Sequence, residues 1–295
     1  MAEARSVQPQ PAATGKAAEP VKTALRREDT LFSRHRYREA LDLLADLLGR
    51  ADLTSRQRFE ALWRKAECLE HLMRPRQAVA LLREISRAYP DEALGHSLLG
   101  EYLYRVCDDG PGALRALRRA LRCAPKDADS LWWTGQVHHY AFGDLRRARR
   151  AYQAALDADP GYEAAMDSLA SVCESEGKWI EAIDWRKRHF RRTRSAGDLT
   201  FLADLYLRLG HIQAAMKYAR SAVRRSTRNA TAWLLCAKSY AAGGRVTSAV
   251  EGLRRFARLV DPVGGPFVSS RDLGFLEPIL DRPEVRSLLE RLPRQ

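Results

Sequence analysis

The chain has 295 residues, 45% of them hydrophobic, and its 50 lysines and arginines outnumber 37 acidic residues to give a net charge of +13. Its longest apolar runs fall far short of the ~20 residues that a membrane helix needs, which argues against membrane insertion. Five scattered cysteines without a C-x-x-C spacing argue against a disulfide framework and predict a reducing, cytoplasmic location.

The first segment, residues 1–20, is predicted to be a disordered leader. It is rich in Ala, Pro and Gln and lacks the apolar stretch of a secretory signal. Helical periodicity starts after it, with one helix predicted from Thr23 to Ser33 and an amphipathic one from Tyr37 to Leu48. These two helices form the first of seven predicted helix pairs, which together span residues 21–262.

The clearest pair runs from Lys126 to Pro160. Its second half places apolar residues along one face of a helix and arginines on the other. Gly143 and Asp144 interrupt the apolar period before this helix, because glycine suits the left-handed position at a helix end and aspartate caps the next helix. The apolar positions are Leu145, Ala148, Tyr152, Ala155 and Leu156.

The same pattern recurs along the chain, with Ala113 and Ala148 35 residues apart and Ala182 and Ala215 33 apart. A fixed period in this range predicts a solenoid. The third and fourth pairs have one extra residue before the second helix, which is predicted to lengthen their turns. The remaining pairs are predicted at Arg56 to Pro90, Asp91 to Pro125 with a turn from Asp108 to Gly112, Gly161 to Ser195, Ala196 to Arg228 and Asn229 to Pro262.

The last segment, residues 263–295, is predicted to cap the array. Asp281-x-x-Glu284 matches a capping box, which opens a short helix. This helix is predicted to cover the exposed face of the seventh pair with the apolar stripe Val285, Leu288, Leu289 and Leu292.

Two of the pairs resemble the tetratricopeptide repeat, whose signature is W-x2-L-G-x2-Y followed by A-x3-F. The matching residues are Trp233, Cys236, Ala237, Tyr240, Ala249 and Leu253 in one pair, and Leu131, Thr134, Gly135, His138, Ala148 and Tyr152 in the other. The resemblance implies an all-α fold, a right-handed superhelical α-solenoid of tetratricopeptide helix pairs that binds other proteins. The tail is similar to segments that follow such arrays in bacterial proteins, so a bacterial source is expected.

The sequence offers little for catalysis or metal binding. His138 and His139 are adjacent, so on a helix they point about 100° apart and cannot share a metal. Known catalytic motifs such as H-E-x-x-H, G-x-S-x-G and the P-loop do not occur. We therefore expect a non-enzymatic protein with no catalytic residues, no cofactor, no metal and no small-molecule substrate.

The resemblance also implies that the first helix of each pair lines a concave groove. Acids and aromatic residues dominate the groove positions, which predicts a partner segment that carries Lys or Arg and a large apolar residue. A chaperone-type carboxylate clamp is not expected, because Trp63 and Glu67 replace its Lys and Asn. The predicted peptide-binding residues are Trp63, Glu67, Glu70, Glu101, Tyr104, Asp129, Trp132, Gln136, His139, Tyr140, Asp167, Glu174 and Asp204.

Two alternatives stay open at this point. In the first, Trp132 or Trp133 packs between helices and the groove acids pair with arginines of the same chain. In the second, the basic second helices form a convex ridge that binds nucleic acid or an acidic protein. The ridge comprises Arg115, Arg118, Arg119 and Arg122, then Arg146 to Arg150, Arg186 to Arg194, Arg220 to Arg228, and Arg254, Arg255 and Arg258.

Overall fold

A computed structural model describes residues 19–260 and 268–290 of the chain. Most of the predicted leader, residues 1–18, and Leu292 of the predicted capping stripe lie outside these ranges. All regular structure within the two ranges is helical, which confirms the all-α prediction. No helix in the same two ranges is both long enough and apolar enough to cross a membrane.

The helices form two compact units that divide between Cys123 and Ala124. Each unit is an α-solenoid in which consecutive helices pack side by side as pairs. The first unit contains α1 (Val21–Ser33), α2 (Tyr37–Leu48), α3 (Ser55–His71), α4 (Pro75–Ala88), α5 (Ala93–Cys107) and α6 (Gly110–Cys123). The second contains α7 (Ala128–Gln136), α8 (Leu145–Ala158), α9 (Glu163–Ser175), α10 (Trp179–Thr193), α11 (Ala196–Arg208), α12 (Ile212–Arg225), α13 (Ala230–Ala242), α14 (Val246–Leu259), α15 (Ser270–Leu280) and α16 (Pro283–Glu290).

Small residues occupy the contact between the two helices of a pair. Ala148, Ala182, Ala215 and Ala249, at one position of four successive second helices, are all fully buried. The first helix of the pair also needs a small residue at this contact. A Cβ added at Gly135 of α7 would lie 2.4 Å from the ring of Tyr152 of α8. The repeat period in the sequence is therefore the period of these close helix contacts.

The extra residue of the third and fourth pairs lies inside the first helix, so the prediction of longer turns is wrong. In the third pair the Asp109 N–H donates to the Leu103 carbonyl at 2.9 Å, across six residues. The other five pairs close with a bond that spans five residues: Arg36 to Leu31, Arg74 to Leu69, Lys178 to Cys173, His211 to Tyr206 and Arg245 to Tyr240. The predicted turn from Asp108 to Gly112 is also too long, since α6 begins at Gly110.

The fourth pair absorbs its extra residue as a π-helical segment, Val137–Ala141, at the end of α7. The Asp144 N–H then donates to the His138 carbonyl at 2.8 Å, again across six residues. Gly143 has a φ of +65°, the left-handed conformation that the sequence predicts, and the Asp144 side chain accepts from the Arg147 N–H as a cap.

The tail forms two helices where the sequence predicts one. A capping box of Ser269 and Asp272 opens α15, whereas Asp281 lies after α15 with its side chain fully exposed, so the box predicted there is wrong. The predicted packing on the seventh pair is confirmed for the residues described. Val285, Leu288 and Leu289 join one apolar cluster with Leu253 and Phe256 of α14 and with Leu276 and Ile279 of α15.

We predict that Ala148→Leu lowers the free energy of unfolding by about 1–3 kcal/mol, because the added side chain overpacks a fully buried helix contact. Urea unfolding followed by circular dichroism measures this change. Ala80→Leu, at an exposed position of α4, is the matched control and should change stability by less than ~0.5 kcal/mol. Equal stability of the two variants would contradict the assigned helix contact.

Candidate functional site

In the first unit, arginines on the first helices hold most of the predicted groove acids. Arg64 of α3 forms an ion pair with Glu28 of α1 at 2.6 Å. Arg105 of α5 pairs with Glu70 of α3 at 2.9 Å and with Glu101 at 2.6 Å. Each arginine thus links its own helix to the first helix of the preceding pair, which confirms the intramolecular alternative for Glu70 and Glu101.

Glu67, the remaining predicted acid of this unit, has a strongly raised pKa. The side chain is half-buried on α3, and burial raises the pKa of its carboxyl to about 7. Arg64 lowers this pKa, but the neighbouring carboxylates of Glu28, Glu101 and Glu70 raise it further. Glu67 is therefore protonated in part at neutral pH.

The two predicted aromatic residues of the first unit lie on the same two helices as these acids. Trp63 is half-buried on α3, and the guanidinium of Arg64 lies 5.2 Å from the centre of its ring. Tyr104 is half-buried on α5, three residues after Glu101. The first unit thus places Trp63, Glu67 and Glu70 on α3 and Glu101 and Tyr104 on α5, and Arg105 joins Glu70 to Glu101.

In the second unit, Trp132 is a packing residue. Its indole N–H donates to the Ser168 hydroxyl at 2.9 Å, and its ring lies 4.6 Å from that of Trp133. Gln136 donates to the same hydroxyl at 3.0 Å, and Asp129 accepts from the Tyr162 hydroxyl. These contacts hold α7 against α9, so the alternative in which Trp132 packs between helices is confirmed.

The π-helical segment presents His139 and Tyr140 side by side. Their rings stack at 4.1 Å, and Tyr140 is 60% exposed. Burial lowers the pKa of His139, and its Nδ1 atom is buried without a hydrogen-bond partner. Partial burial and the nearby charge of Asp167 raise the pKa of Tyr140, while Arg186 opposes this shift.

Arg186 lies in the interior, so its assignment to the convex ridge is wrong. It is 2% exposed, and from α10 it reaches Glu174 of α9 at 3.0 Å and also binds the Asp167 carboxylate. Its guanidinium lies 3.9 Å from the centre of the Phe201 ring of α11. Three successive helices therefore meet at one side chain.

The same correction applies to Arg149 of α8. It is half-buried and pairs with Glu176 and, at 2.5 Å, with Glu181. One of its guanidinium nitrogens also lies 3.3 Å from the Cys173 sulfur. Arg149 and Arg186 thus belong to the inter-helix packing, and the outer ridge has fewer charges than predicted.

Asp167, His189 and Asp198 have the right atoms for a cation, within 4.8 Å of one another. Arg186 already supplies positive charge there, because its guanidinium binds Asp167 and lies 4.0 Å from Asp198. Asp198 also accepts from Nδ1 of His189 at 2.8 Å and from Thr193 at 3.1 Å. The cluster is best described as an ion-pair network around the buried side chains of Arg186 and Asp198.

Asp204 of α11 has two cationic partners, Arg208 at 2.5 Å and Lys238 of α13 at 3.4 Å. Lys238 is buried and also pairs with Asp272 of α15 at 2.7 Å, with its ammonium 5.1 Å from the Phe275 ring. The tail helix α15 therefore packs against α13, the first helix of the seventh pair.

Comparisons with known proteins agree with the helix pairs. Two family models described as tetratricopeptide repeat match the chain, one over residues 31–102 and the other over 108–163, 138–194 and 202–261. The chain belongs to the tetratricopeptide repeat family. A curated relative, anaphase-promoting complex subunit 7 of Arabidopsis thaliana, is 24% identical over 168 residues, 57% of this chain and 30% of that protein. This tetratricopeptide protein thus spans less than a third of that relative.

Three solved structures show the same fold. PilW, described as a type IV pilus biogenesis factor, has a TM-score of 0.59 at 18% identity and covers 78% of this chain and 98% of its own. PilF of Pseudomonas aeruginosa gives 0.59 at 19% identity, with 68% and 91% covered. YrrB, described as a tetratricopeptide protein with an unusual peptide-binding site, gives 0.53 at 15% identity, with 60% and 91% covered.

Sequence reasoning missed Phe201 in the tetratricopeptide array. It is 45% exposed on α11 and adjoins the Asp167–Arg186 pair through its contact with Arg186. A signal was present, since Phe201, Asp204 and Arg208 are spaced i, i+3 and i+7 and so share one helix face. Phe201 was missed because it does not lie at a position of the repeat signature.

We predict that Arg186→Leu lowers the free energy of unfolding by about 3 kcal/mol, because it removes a buried charge that Asp167, Glu174 and the buried Asp198 all face. Urea unfolding measures the change. Arg191→Leu, an exposed arginine of the same helix, should cost less than ~0.5 kcal/mol. Equal losses in the two variants would show that the carboxylates do not depend on Arg186.

We predict that Glu67→Gln stabilises the protein at about pH 8 and has little effect at about pH 4. Between the ordinary pKa of 4.5 and about 7 the folded state retains a proton that the unfolded state releases. Stability therefore falls as pH rises through this window, and glutamine avoids the loss, about 3 kcal/mol.

Urea unfolding of parent and variant at the two pH values tests this. Glu84→Gln, which alters an exposed carboxylate on α4, is the control, and its effect on the free energy of unfolding should be the same at both pH values. A Glu67→Gln effect that does not change with pH would contradict the assigned burial.

Proposed function

We propose that this tetratricopeptide protein is a non-catalytic scaffold that binds a peptide or protein segment along its first helices. Tetratricopeptide arrays generally act as protein-interaction scaffolds, and the family assignment supports that role here. The five free cysteines are compatible with work in a reducing compartment such as the cytoplasm. The partner that fits best carries Lys or Arg together with a large apolar side chain.

The observation that carries this proposal is a pair of exposed aromatic residues. Tyr140, in the π-helical segment after α7, is 60% exposed, and Phe201 of α11 is 45% exposed. Both lie near the Asp167–Arg186 pair. The charges of Asp167 and Arg186 both act on the pKa of Tyr140, and the ring of Phe201 contacts the Arg186 guanidinium. Rigid aromatic side chains next to a fixed charge pair are typical anchors of a binding surface.

Charge supports a basic partner on this surface, although its acids have partners within the chain. The acids predicted for the surface of the second unit are four, namely Asp129, Asp167, Glu174 and Asp204, and the cations that contact them are three, Arg186, Arg208 and Lys238. The balance of four against three leaves an excess of negative charge. Asp167 is 49% exposed, so a partner cation can reach it without displacing Arg186.

The first unit has a surface of similar chemistry. Trp63 shares α3 with Glu67 and Glu70, and Tyr104 shares α5 with Glu101. We propose that it contacts the same kind of segment, with Glu67 as the carboxyl that gains most from a partner cation. A cation at this site would favour the ionised form of Glu67 and lower its raised pKa.

We predict that Tyr140→Ala and Phe201→Ala each weaken peptide binding by ~1 kcal/mol or more, because each removes an exposed aromatic anchor. Peptides selected from a random display library on the full chain supply the ligand, and fluorescence anisotropy gives the affinities. Ile180→Ala, which truncates an exposed apolar residue of α10, is the control and should bind as the parent does.

The composition of the selected peptides is a second readout. The proposal expects enrichment of Lys or Arg together with Leu, Ile, Phe or Trp. Peptides that are acidic, or that bind both aromatic variants with parental affinity, would place the binding surface elsewhere and overturn the proposal.

A further inference from the structure

A cleft of about 460 Å³ lies between α10 and α12 of the second unit, on the side of the second helices. Its apolar walls are Phe190 of α10, Leu199 of α11 and Tyr218 of α12. Phe190 and Tyr218 pack against the buried cluster of Leu199, Ala222 and Ala232. The cleft therefore has a rigid apolar base.

Cationic side chains surround this base. Lys217, Arg224 and Arg225, all exposed, line the cleft from α12. Arg225 is held in place, because it donates to the Arg194 carbonyl and its guanidinium lies 5.6 Å from the centre of the Phe190 ring. Arg194, at the end of α10, approaches the same ring at 5.9 Å.

These cations differ from Arg149 and Arg186 in one respect. Arg149 and Arg186 each bind two or more carboxylates of neighbouring helices. Lys217, Arg224, Arg225 and Arg194 form no ion pair with any carboxylate in the described part of the chain. The positive charge at the cleft is thus not neutralised within the fold, and a negatively charged partner complements it.

We propose that this cleft is a second binding site, for an acidic protein segment that inserts one apolar side chain between α10 and α12. The carboxylates of the segment meet Lys217, Arg224 and Arg225, and its apolar side chain contacts Leu199 and the edges of Phe190 and Tyr218. This site goes beyond the proposed function, since it lies on the second helices and takes a partner of opposite charge.

The aromatic contacts favour a protein partner over a nucleic acid. Single-stranded nucleic acid binds such sites by stacking its bases on open aromatic faces. Arg194 and Arg225 lie against the Phe190 ring, and the Tyr218 ring stacks on Tyr206 at 5.3 Å with an interplanar angle of 6°. These contacts leave fewer open ring faces on which bases could stack, whereas the charge and the apolar notch suit an acidic protein segment.

The test uses the full chain and a fluorescein-labelled peptide of glutamates with one central leucine, followed by fluorescence anisotropy at low salt. The double variant Lys217→Glu with Arg224→Glu should weaken binding at least about tenfold, because both cations line the cleft. Arg115→Glu with Arg118→Glu carries the same charge change on exposed positions of α6 and is the matched control. It should bind within about twofold of the parent.

A third variant separates a specific cleft from diffuse charge attraction. Ser221 lines the cleft, so Ser221→Trp fills it without a change in charge and should also weaken peptide binding at least about tenfold. Circular dichroism verifies that each variant keeps the helical content of the parent. Parental affinity of Ser221→Trp, or equal losses in the two charge-reversal variants, would reduce the interaction to non-specific attraction and overturn the proposal.

An oligothymidylate of equal net charge tests the nucleic-acid alternative in the same assay. The proposal expects it to bind more weakly than the acidic peptide and to be insensitive to Ser221→Trp. Tighter binding of the oligothymidylate, or no binding of the peptide by the parent at low salt, would contradict an acidic protein segment as the ligand.

Discussion

The close contact between the two helices of a pair governs the rest of this structure. Alanine at one position of each second helix, and glycine or alanine at the facing position, allow the helices to approach until these positions are fully buried. Ala170, Ala203 and Ala237 are fully buried on three first helices in the same way as Ala182, Ala215 and Ala249 on the second. Because the contact leaves no room for a larger side chain, the long polar residues must lie on the remaining faces.

The ion pairs between first helices follow from that constraint. Glu28 and Arg64, Glu70 and Arg105, Asp204 and Lys238, and Lys238 and Asp272 are each separated by 34 to 36 residues, one repeat. A charge on one repeat is thus satisfied by the next, and the desolvation that close packing imposes is offset by an opposite charge at hydrogen-bond distance. Asp272 extends this series into the tail. Among the described residues no eighth pair follows the seventh, and α15 supplies to Lys238 the carboxylate that the first helix of a further pair would supply.

The sequence predicts those parts of the fold that depend on local pattern. The bounds of α2 and the burial of the four second-helix alanines agree with the periodicity, because both depend on spacing within about ten residues. Arg186 could not be predicted, since its neighbours in WRKRHFRRTR look alike and only the approach of α9 and α11 distinguishes it. The helix α15 was missed because Gly274 and Pro278 interrupt its helical pattern, although Ser269 and Asp272 form a capping box. The packing role of Trp132 could not be predicted either, because it depends on a hydrogen bond to Ser168, 36 residues away in the chain.

The π-helical segment Val137–Ala141 also bears on how such arrays diversify. One additional residue in a helix turns every later side chain by about 100°, since an α-helix has 3.6 residues per turn. Here the turn after the segment keeps the same three-residue length as that of the fifth pair, so the rotation is confined to the helix end that presents His139 and Tyr140. A single-codon insertion is therefore enough to change the residues that one repeat displays, while the neighbouring repeats keep their packing and the reading frame is preserved.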